Sequence, residues 1–128
     1  MKPSAVSTHV LDTASGIPAH GMAYEFWRME PEPVLLRAGT TDEDGRTDAP
    51  LLPPAEFRPG RYELRFDVGG YFAARGGDPG YLGTVALNVG LRAGEGHYHV
   101  PLLCSPGPTP PTAAAEAGPG ARAGRWRR

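Results

Sequence analysis

The chain has 128 residues, of which 40% are apolar and 21% are charged, and its formal net charge at pH 7 is −1. This length suits one domain, and the composition excludes a wholly disordered chain. No apolar run approaches the roughly 20 residues of a membrane-spanning helix, and the balanced charge gives no electrostatic footprint for nucleic acid. The opening residues MKPSAVSTHVLDT lack the apolar core of a secretory signal, and the single cysteine, Cys104, excludes an intrachain disulfide. These features together predict a cytoplasmic protein.

Short segments of alternating apolar and polar residues, separated by turn signals, recur along the chain and predict β-strands. In chain order they are residues 7–13, 22–29, 33–41, 60–68, 82–91 and 97–105. The segment 70–77 alone has a helix-like composition, and it is short. Because 18 glycines and 15 prolines disfavour a helical bundle, the pattern predicts an all-β sandwich with one short helix.

The distribution of charge divides the chain into two parts. Residues 1–105 carry 9 Lys and Arg against 13 Asp and Glu, a net charge of −4, and we predict that they form the domain. Residues 106–128 carry 4 Arg and 1 Glu, a net charge of +3, and 15 of these 23 residues are Pro, Gly or Ala. Such a segment buries too little apolar surface to offset chain ordering, so we predict a disordered tail. A basic interaction arm is the alternative.

Three histidines and one arginine are the candidates for chemistry. His97 and His99 are two residues apart on a predicted strand and therefore share a face. His9 lies within the first predicted strand, and Arg46 follows the turn signal Asp44-Gly45. Spacing alone leaves several interpretations open. The histidines could be structural, or His9, His97 and His99 could bind zinc. Arg46 could be one charge among the carboxylates of a solvated loop.

Two motifs narrow these alternatives. THVLDTASGIPAHGM near the start and YHVPLLCSP near residue 100 resemble the flanking signatures of the 5-hydroxyisourate hydrolases, the transthyretin-related proteins of urate degradation. TTDEDGRTDAPLL and GRYELRFDVGGYFAARG are similar to the middle of that family, and the resemblance covers residues 7–106. It implies a transthyretin-like antiparallel sandwich of seven or eight strands, assembled as a homotetramer with active sites at a subunit interface.

The same resemblance implies the activity and its residues. The implied reaction opens the cyclic amide of 5-hydroxyisourate to give 2-oxo-4-hydroxy-4-carboxy-5-ureidoimidazoline, without a metal or an organic cofactor. His9, Arg46 and His99 match the catalytic and substrate-binding positions of the family, whereas His97 is not carried over as catalytic. Either His9 or His99 is suited to be the general base. Arg46 is suited to orient the substrate oxygens and stabilise an oxyanion. In transthyretin itself, a hormone carrier, these positions differ.

One departure concerns the C-terminal part. The family ends in a strand with the motif YSTYRGS, whose YRGS belongs to the active site, and this chain has no such motif. A frameshift is our hypothesis for the difference. A coding sequence for PWSYSTYRGS and a stop, with one C deleted from its first codon, translates as PGPTPPTAAA followed by Glu or Asp. The chain reads this way from Pro106 to Glu116.

The missing motif leads to three expectations. We expect the strand at 97–105 to be left as an open edge, with weak tetramerisation and activity near the uncatalysed rate. The alternative function is a non-catalytic transthyretin-like small-molecule-binding module with a decayed site.

Overall fold

A computed structural model describes residues 6–76, 83–93 and 97–105, together with the backbone of 112–116 and 123–125. The described part contains nine strands, a 3-10 turn at Pro54–Glu56 and one helix, α1, at Val68–Ala74. The strands are β1 Val6–Asp12, β2 Ile17–Pro18, β3 Ala23–Arg28, β4 Val34–Thr40, β5 Gly60–Asp67, β6 Thr84–Leu91, β7 Tyr98–Cys104, β8 Thr112–Glu116 and β9 Ala123–Arg125. Within these residues, no helix has the length and apolar character needed to cross a membrane.

The strands form two sheets. One has the order β2-β1-β7-β8-β9, and the other has the order β4-β3-β5-β6. The six predicted strands correspond to β1 and β3 to β7, and the predicted helix overlaps α1, so the predicted all-β sandwich with one short helix is confirmed. Strand β2 lies between the first two predicted strands, where no strand was predicted.

The core lies between the sheets and follows the period-two alternation of the strands. In β5, Tyr62, Leu64 and Phe66 are all buried on the inner side, as their alternation predicts. Phe26 of β3 stacks on Tyr62 with ring centroids 5.4 Å apart. Strand β1 buries every second residue from Val6 onward, which leaves the residues between them on its outer face.

One strand pair departs from the predicted antiparallel arrangement. Strands β1 and β7 run parallel, with Val6 paired to Tyr98 and Asp12 paired to Cys104. The hydroxyl of Thr8, buried in β1, donates to the Val100 carbonyl oxygen at 2.6 Å and links the two strands from the inner side. A parallel pair needs a long connection, and here the whole second sheet supplies it. Short-range sequence signals therefore do not reveal this pairing.

Two short segments of the predicted 106–128 tail pair with the first sheet. Thr112–Glu116 pairs antiparallel with β7, and Ala123–Arg125 pairs with Thr112–Glu116. An edge strand of this kind is added through backbone hydrogen bonds. The segment TAAAE contains no proline and can pair. Strand β7 is consequently not the open edge that we expected. The rest of the 106–128 tail lies outside the described residues.

Candidate active site

The outer face of the parallel pair carries both predicted catalytic histidines. His9 of β1 and His99 of β7 are each half-buried, and they lie on the side of the sheet opposite the core. The register places Ser7 opposite His99 and His9 opposite Pro101. His9 and His99 are thus diagonal neighbours, with Cα atoms about 8 Å apart given the usual strand spacing and rise. A small planar molecule can contact both rings across such a gap.

A serine connects His99 to the histidine that the sequence analysis set aside. The Ser7 hydroxyl lies 2.8 Å from Nε2 of His97 and 2.9 Å from Nδ1 of His99. All three side chains are half-buried on the same face. Ser7 was missed in the sequence, although its position two residues before His9 places both side chains on one face of a strand. Its contact with His99 depends on the parallel pairing, which could not be predicted.

Arg46 is brought to β1 by a tight loop. The Asp42 carboxylate closes this loop by accepting the backbone N–H groups of Asp44 and Arg46, at 2.8 and 3.0 Å. The carbonyl oxygen of Gly45 then accepts the Val10 N–H at 2.8 Å, which fastens the loop beside His9. Gly45 has φ +76°, and a Cβ atom there would lie 2.3 Å from the Val10 carbonyl oxygen. Only glycine allows this close approach.

The Arg46 side chain is exposed, and within the described residues its guanidinium forms no salt bridge. The neighbouring Asp42 carboxylate is occupied with backbone N–H groups and does not neutralise it. The structure thus brings the Arg46 backbone next to β1. It leaves the cationic group toward solvent, where a ligand can reach it.

The structure does not assemble the zinc site that spacing had left open. Among the residues described, no group of three or more His, Cys, Asp or Glu side chains is arranged to hold a metal ion. The Ser7 hydroxyl lies between His97 and His99 and bonds to a nitrogen of each ring. These two nitrogens already have a hydrogen-bond partner in the protein.

Strand β8 borders the site on the other side of β7. Its register pairs Glu116 with His99 and Ala113 with Leu102. In the family resemblance, this stretch of chain is where the YRGS motif is expected. This sequence has TAAAE there instead. Strand β8 therefore still pairs with β7 through its backbone, but it does not have the residues of the YRGS motif.

A buried cluster of Asp12, Tyr71 and Cys104 lies on the core side, at the ends of β1 and β7. The Tyr71 hydroxyl donates to Asp12 Oδ2 at 2.9 Å, and the Ser15 N–H donates to Oδ1 at 3.0 Å. Burial, followed by the hydrogen bond to Asp12, raises the pKa of Tyr71 to about 12. Burial, followed by the Asp12 charge, raises the pKa of the Cys104 thiol to about 12. Cys104 is therefore a neutral packing residue and not a nucleophile.

Comparison with known proteins places this arrangement in a family. The model of the HIUase/Transthyretin family matches residues 6–108, and the chain belongs to that family. A Pseudomonas aeruginosa protein named 5-hydroxyisourate hydrolase is 47% identical over 105 residues, which are 79% of this chain and 83% of the relative. The predicted resemblance and the transthyretin-like sandwich are both confirmed.

Solved structures agree with this placement. Klebsiella pneumoniae 5-hydroxyisourate hydrolase matches with a TM-score of 0.66 at 30% identity, over 91% of this chain and 100% of that one. An (S)-allantoin synthase matches with a TM-score of 0.77 at 34% identity, over 92% of this chain. The match spans 44% of the synthase, so this chain corresponds to less than half of that protein.

Proposed function

We propose that this chain is a 5-hydroxyisourate hydrolase, with His9, Arg46 and His99 as its catalytic and substrate-binding residues. The observation that carries the proposal is the placement of His9 and His99 on one face of adjacent strands, with the Arg46 loop bonded to β1 beside His9. The relatives named 5-hydroxyisourate hydrolase support the choice of substrate.

The residue types suit hydrolysis of a cyclic amide. A neutral histidine takes a proton from water as the water oxygen bonds to the substrate carbonyl carbon. The resulting oxyanion is stabilised by Arg46, whose planar guanidinium always carries its charge and presents several N–H donors. The protonated histidine then gives its proton to the departing ring nitrogen as the C–N bond breaks. No group outside the chain is required by this sequence of steps.

Alanine variants of the three residues test the proposal. The absorbance of freshly generated 5-hydroxyisourate is followed with and without protein, because the compound also decays spontaneously. Because the native chain is expected to act near the uncatalysed rate, the variants are also made with residues from 106 onward replaced by PWSYSTYRGS. In that background we expect His99→Ala and His9→Ala to lose about 100-fold or more of the acceleration if each acts in proton transfer. Arg46→Ala loses about 100-fold if it stabilises the oxyanion. His20→Ala is the matched control, because His20 is an exposed residue of a turn, and it should retain activity.

The altered C-terminal part favours a second candidate, a binding module that no longer catalyses. We propose that activity is lower in this chain than in a chain whose residues from 106 onward are replaced by PWSYSTYRGS. A higher rate in the chain with that ending would indicate that the native chain lacks part of the site. If neither chain accelerates decay although calorimetry shows that the substrate binds, the binding module is the correct function. Resequencing the gene across codons 104–118 tests the frameshift hypothesis directly.

We further propose that the protein acts as a homotetramer in the cytoplasm, in urate degradation. The half-buried outer face of β1 and β7, which holds the candidate residues, supports an assembly that covers it. The pairing of β7 with β8 removes the exposed edge that had led us to expect weak assembly. Light scattering coupled to size-exclusion chromatography tests the tetramer, and a monomer at micromolar concentration would contradict it. Fractionation of cells producing the tagged protein tests the compartment.

A further inference from the structure

The loop at residues 42–46 is closed by hydrogen bonds of two kinds. Two join backbone groups: the Asp42 N–H donates to the Arg46 carbonyl oxygen at 2.8 Å, and the Gly45 N–H donates to the Asp42 carbonyl oxygen at 2.9 Å. The other two meet at one side-chain atom. Oδ1 of Asp42 accepts the Asp44 N–H at 2.8 Å and the Arg46 N–H at 3.0 Å. A single side chain therefore holds the backbone of Arg46 itself.

The peptide group that joins Gly45 to Arg46 is clamped from both ends. Its N–H donates to Oδ1 of Asp42 at 3.0 Å, and its carbonyl oxygen accepts the Val10 N–H at 2.8 Å. Val10 is buried and follows His9 in β1. Because a peptide group is planar, these two bonds fix the orientation of the plane from which the Arg46 side chain departs. Only one of the two bonds is made by β1, and the other depends on Asp42.

The two bonds to the Asp42 side chain need an oxygen at one position and do not by themselves need a charge. Both N–H donors reach the same atom, Oδ1, and an asparagine amide has an acceptor oxygen at that place. A glutamate keeps the charge but carries its oxygens one methylene farther from the backbone. Among the residues described, the Arg46 guanidinium forms no salt bridge with Asp42. Substitution at this one residue therefore separates position from charge.

We propose that Asp42 is a positioning residue, which fixes the peptide plane that carries the Arg46 side chain beside His9. This inference rests on the proposed function, in which Arg46 stabilises the oxyanion. A cation that is held in place before the reaction stabilises a developing charge without being ordered at that moment. Asp42 takes part in no proton transfer and acts only through Arg46.

Amide hydrogen exchange followed by nuclear magnetic resonance tests the clamp without any assay of activity. Exchange of the Arg46 and Val10 N–H groups is expressed relative to the slowest amides of β5, which report global unfolding, so a general loss of stability does not raise the ratio. We expect the ratio to rise about 10-fold in Asp42→Ala. Asp42→Asn should keep the native ratio, whereas Asp42→Glu should behave as Asp42→Ala. An unchanged ratio in Asp42→Ala overturns the proposal.

A double-mutant cycle provides the functional readout. The kcat/KM for 5-hydroxyisourate is measured in the native chain and, because that chain is expected to act near the uncatalysed rate, also with the PWSYSTYRGS ending. We expect Asp42→Ala and Asp42→Glu to lower kcat/KM about 10-fold, and Asp42→Asn to keep most of it. In the Arg46→Ala background, Asp42→Ala should cause no further loss. An equal fold-loss in both backgrounds, or a loss in Asp42→Asn as large as in Asp42→Ala, overturns the proposal.

Two variants control for the charge of the loop and for stability. Glu43→Ala removes one negative charge from an exposed residue of the same loop, and it should leave both the exchange ratio and kcat/KM unchanged. Tyr71→Phe removes a buried hydrogen bond to Asp12 and lowers stability outside the loop. It should keep the kcat/KM of the native chain. A loss in Tyr71→Phe equal to that in Asp42→Ala would mean that Asp42 acts through stability, which overturns its positioning role.

The two claims fail in different ways. If Asp42→Ala raises the exchange ratio but the unsubstituted chain does not accelerate decay of 5-hydroxyisourate, even with the PWSYSTYRGS ending, the proposed function fails. The role of Asp42 in the reaction fails with it, and only its hold on the loop stands. If the unsubstituted chain is active and Asp42→Ala keeps the full kcat/KM, the positioning proposal fails and the proposed function stands.

Discussion

Gly45→Ala should detach the loop that carries Arg46 while leaving the sandwich folded. The added Cβ atom would lie 2.3 Å from the Val10 carbonyl oxygen, which accepts the Ala19 N–H at 2.9 Å. The Val10 N–H donates to Gly45 itself at 2.8 Å. To relieve the contact, the loop must move away from β1, and the hydrogen bonds on both sides of Val10 are weakened or lost.

The expected cost follows from these contacts. A positive φ costs an alanine about 1 kcal/mol, and each of the two hydrogen bonds contributes about 1 kcal/mol. We therefore expect Gly45→Ala to lower the free energy of unfolding by about 3 kcal/mol. Gly16→Ala is the matched control, because Gly16 has φ +71° and nothing within 4 Å of its added Cβ atom. It should lose only about 1 kcal/mol.

Urea unfolding monitored by tryptophan fluorescence measures both variants against the native chain. The hydrolysis assay is run in parallel, since displacement of the Arg46 loop should reduce kcat/KM in Gly45→Ala and leave it unchanged in Gly16→Ala. Equal stabilities of the two variants would refute the reasoning. They would show that the strand accommodates the extra methyl group without moving the loop.

Three further predictions concern buried polar groups. Tyr71→Phe removes the donor to Asp12 and should cost about 1–3 kcal/mol in urea unfolding. Because the folded pKa of Tyr71 is about 12 against an ordinary value of 10, its contribution is complete below pH 10. The stability gap between the native chain and Tyr71→Phe should therefore narrow as pH rises from 10 to 12, and a constant gap would contradict this. Cys104, with its pKa near 12, should react with a thiol reagent at neutral pH only after unfolding, and rapid labelling of native protein would count against its burial. Thr41→Val leaves the buried Met22 N–H without its acceptor and should lower the free energy of unfolding by about 1–3 kcal/mol, whereas Thr41→Ser should not.

The local alternation of apolar and polar residues was sufficient to predict most of the strands of the sandwich. It also predicted which residues of one strand lie on the same face. The alternation of Tyr62, Leu64 and Phe66 predicted their common side, and spacing placed His97 and His99 on one face. Sequence proximity could not predict contacts that depend on which strands become neighbours. The hydrogen bond of Ser7 to His99 joins residues 92 positions apart, through a parallel pair that leaves no local signal.

The C-terminal strands show a second limit. Thr112–Glu116 pairs with β7 through its backbone. Side-chain hydrophobicity carries no signal for pairing of this kind, because main-chain groups at an available edge make it. The Arg46 loop shows the same limit. The dipeptide Asp44-Gly45 predicted a turn, but it did not indicate that the loop would bond to β1.

The parallel pairing of the first long strand with a late one has a consequence for synthesis on the ribosome. As the chain emerges, β3, β4, β5 and β6 meet their antiparallel neighbours in nearly sequential order. Strand β1 leaves the exit tunnel before these strands, but its main partner, β7 at Tyr98–Cys104, is synthesised after them. Pairings over such long stretches of chain are slow to form. The half of the sandwich without His9 and His99 is therefore complete first, and a nascent chain interrupted before residue 97 lacks both His99 and the strand that carries it.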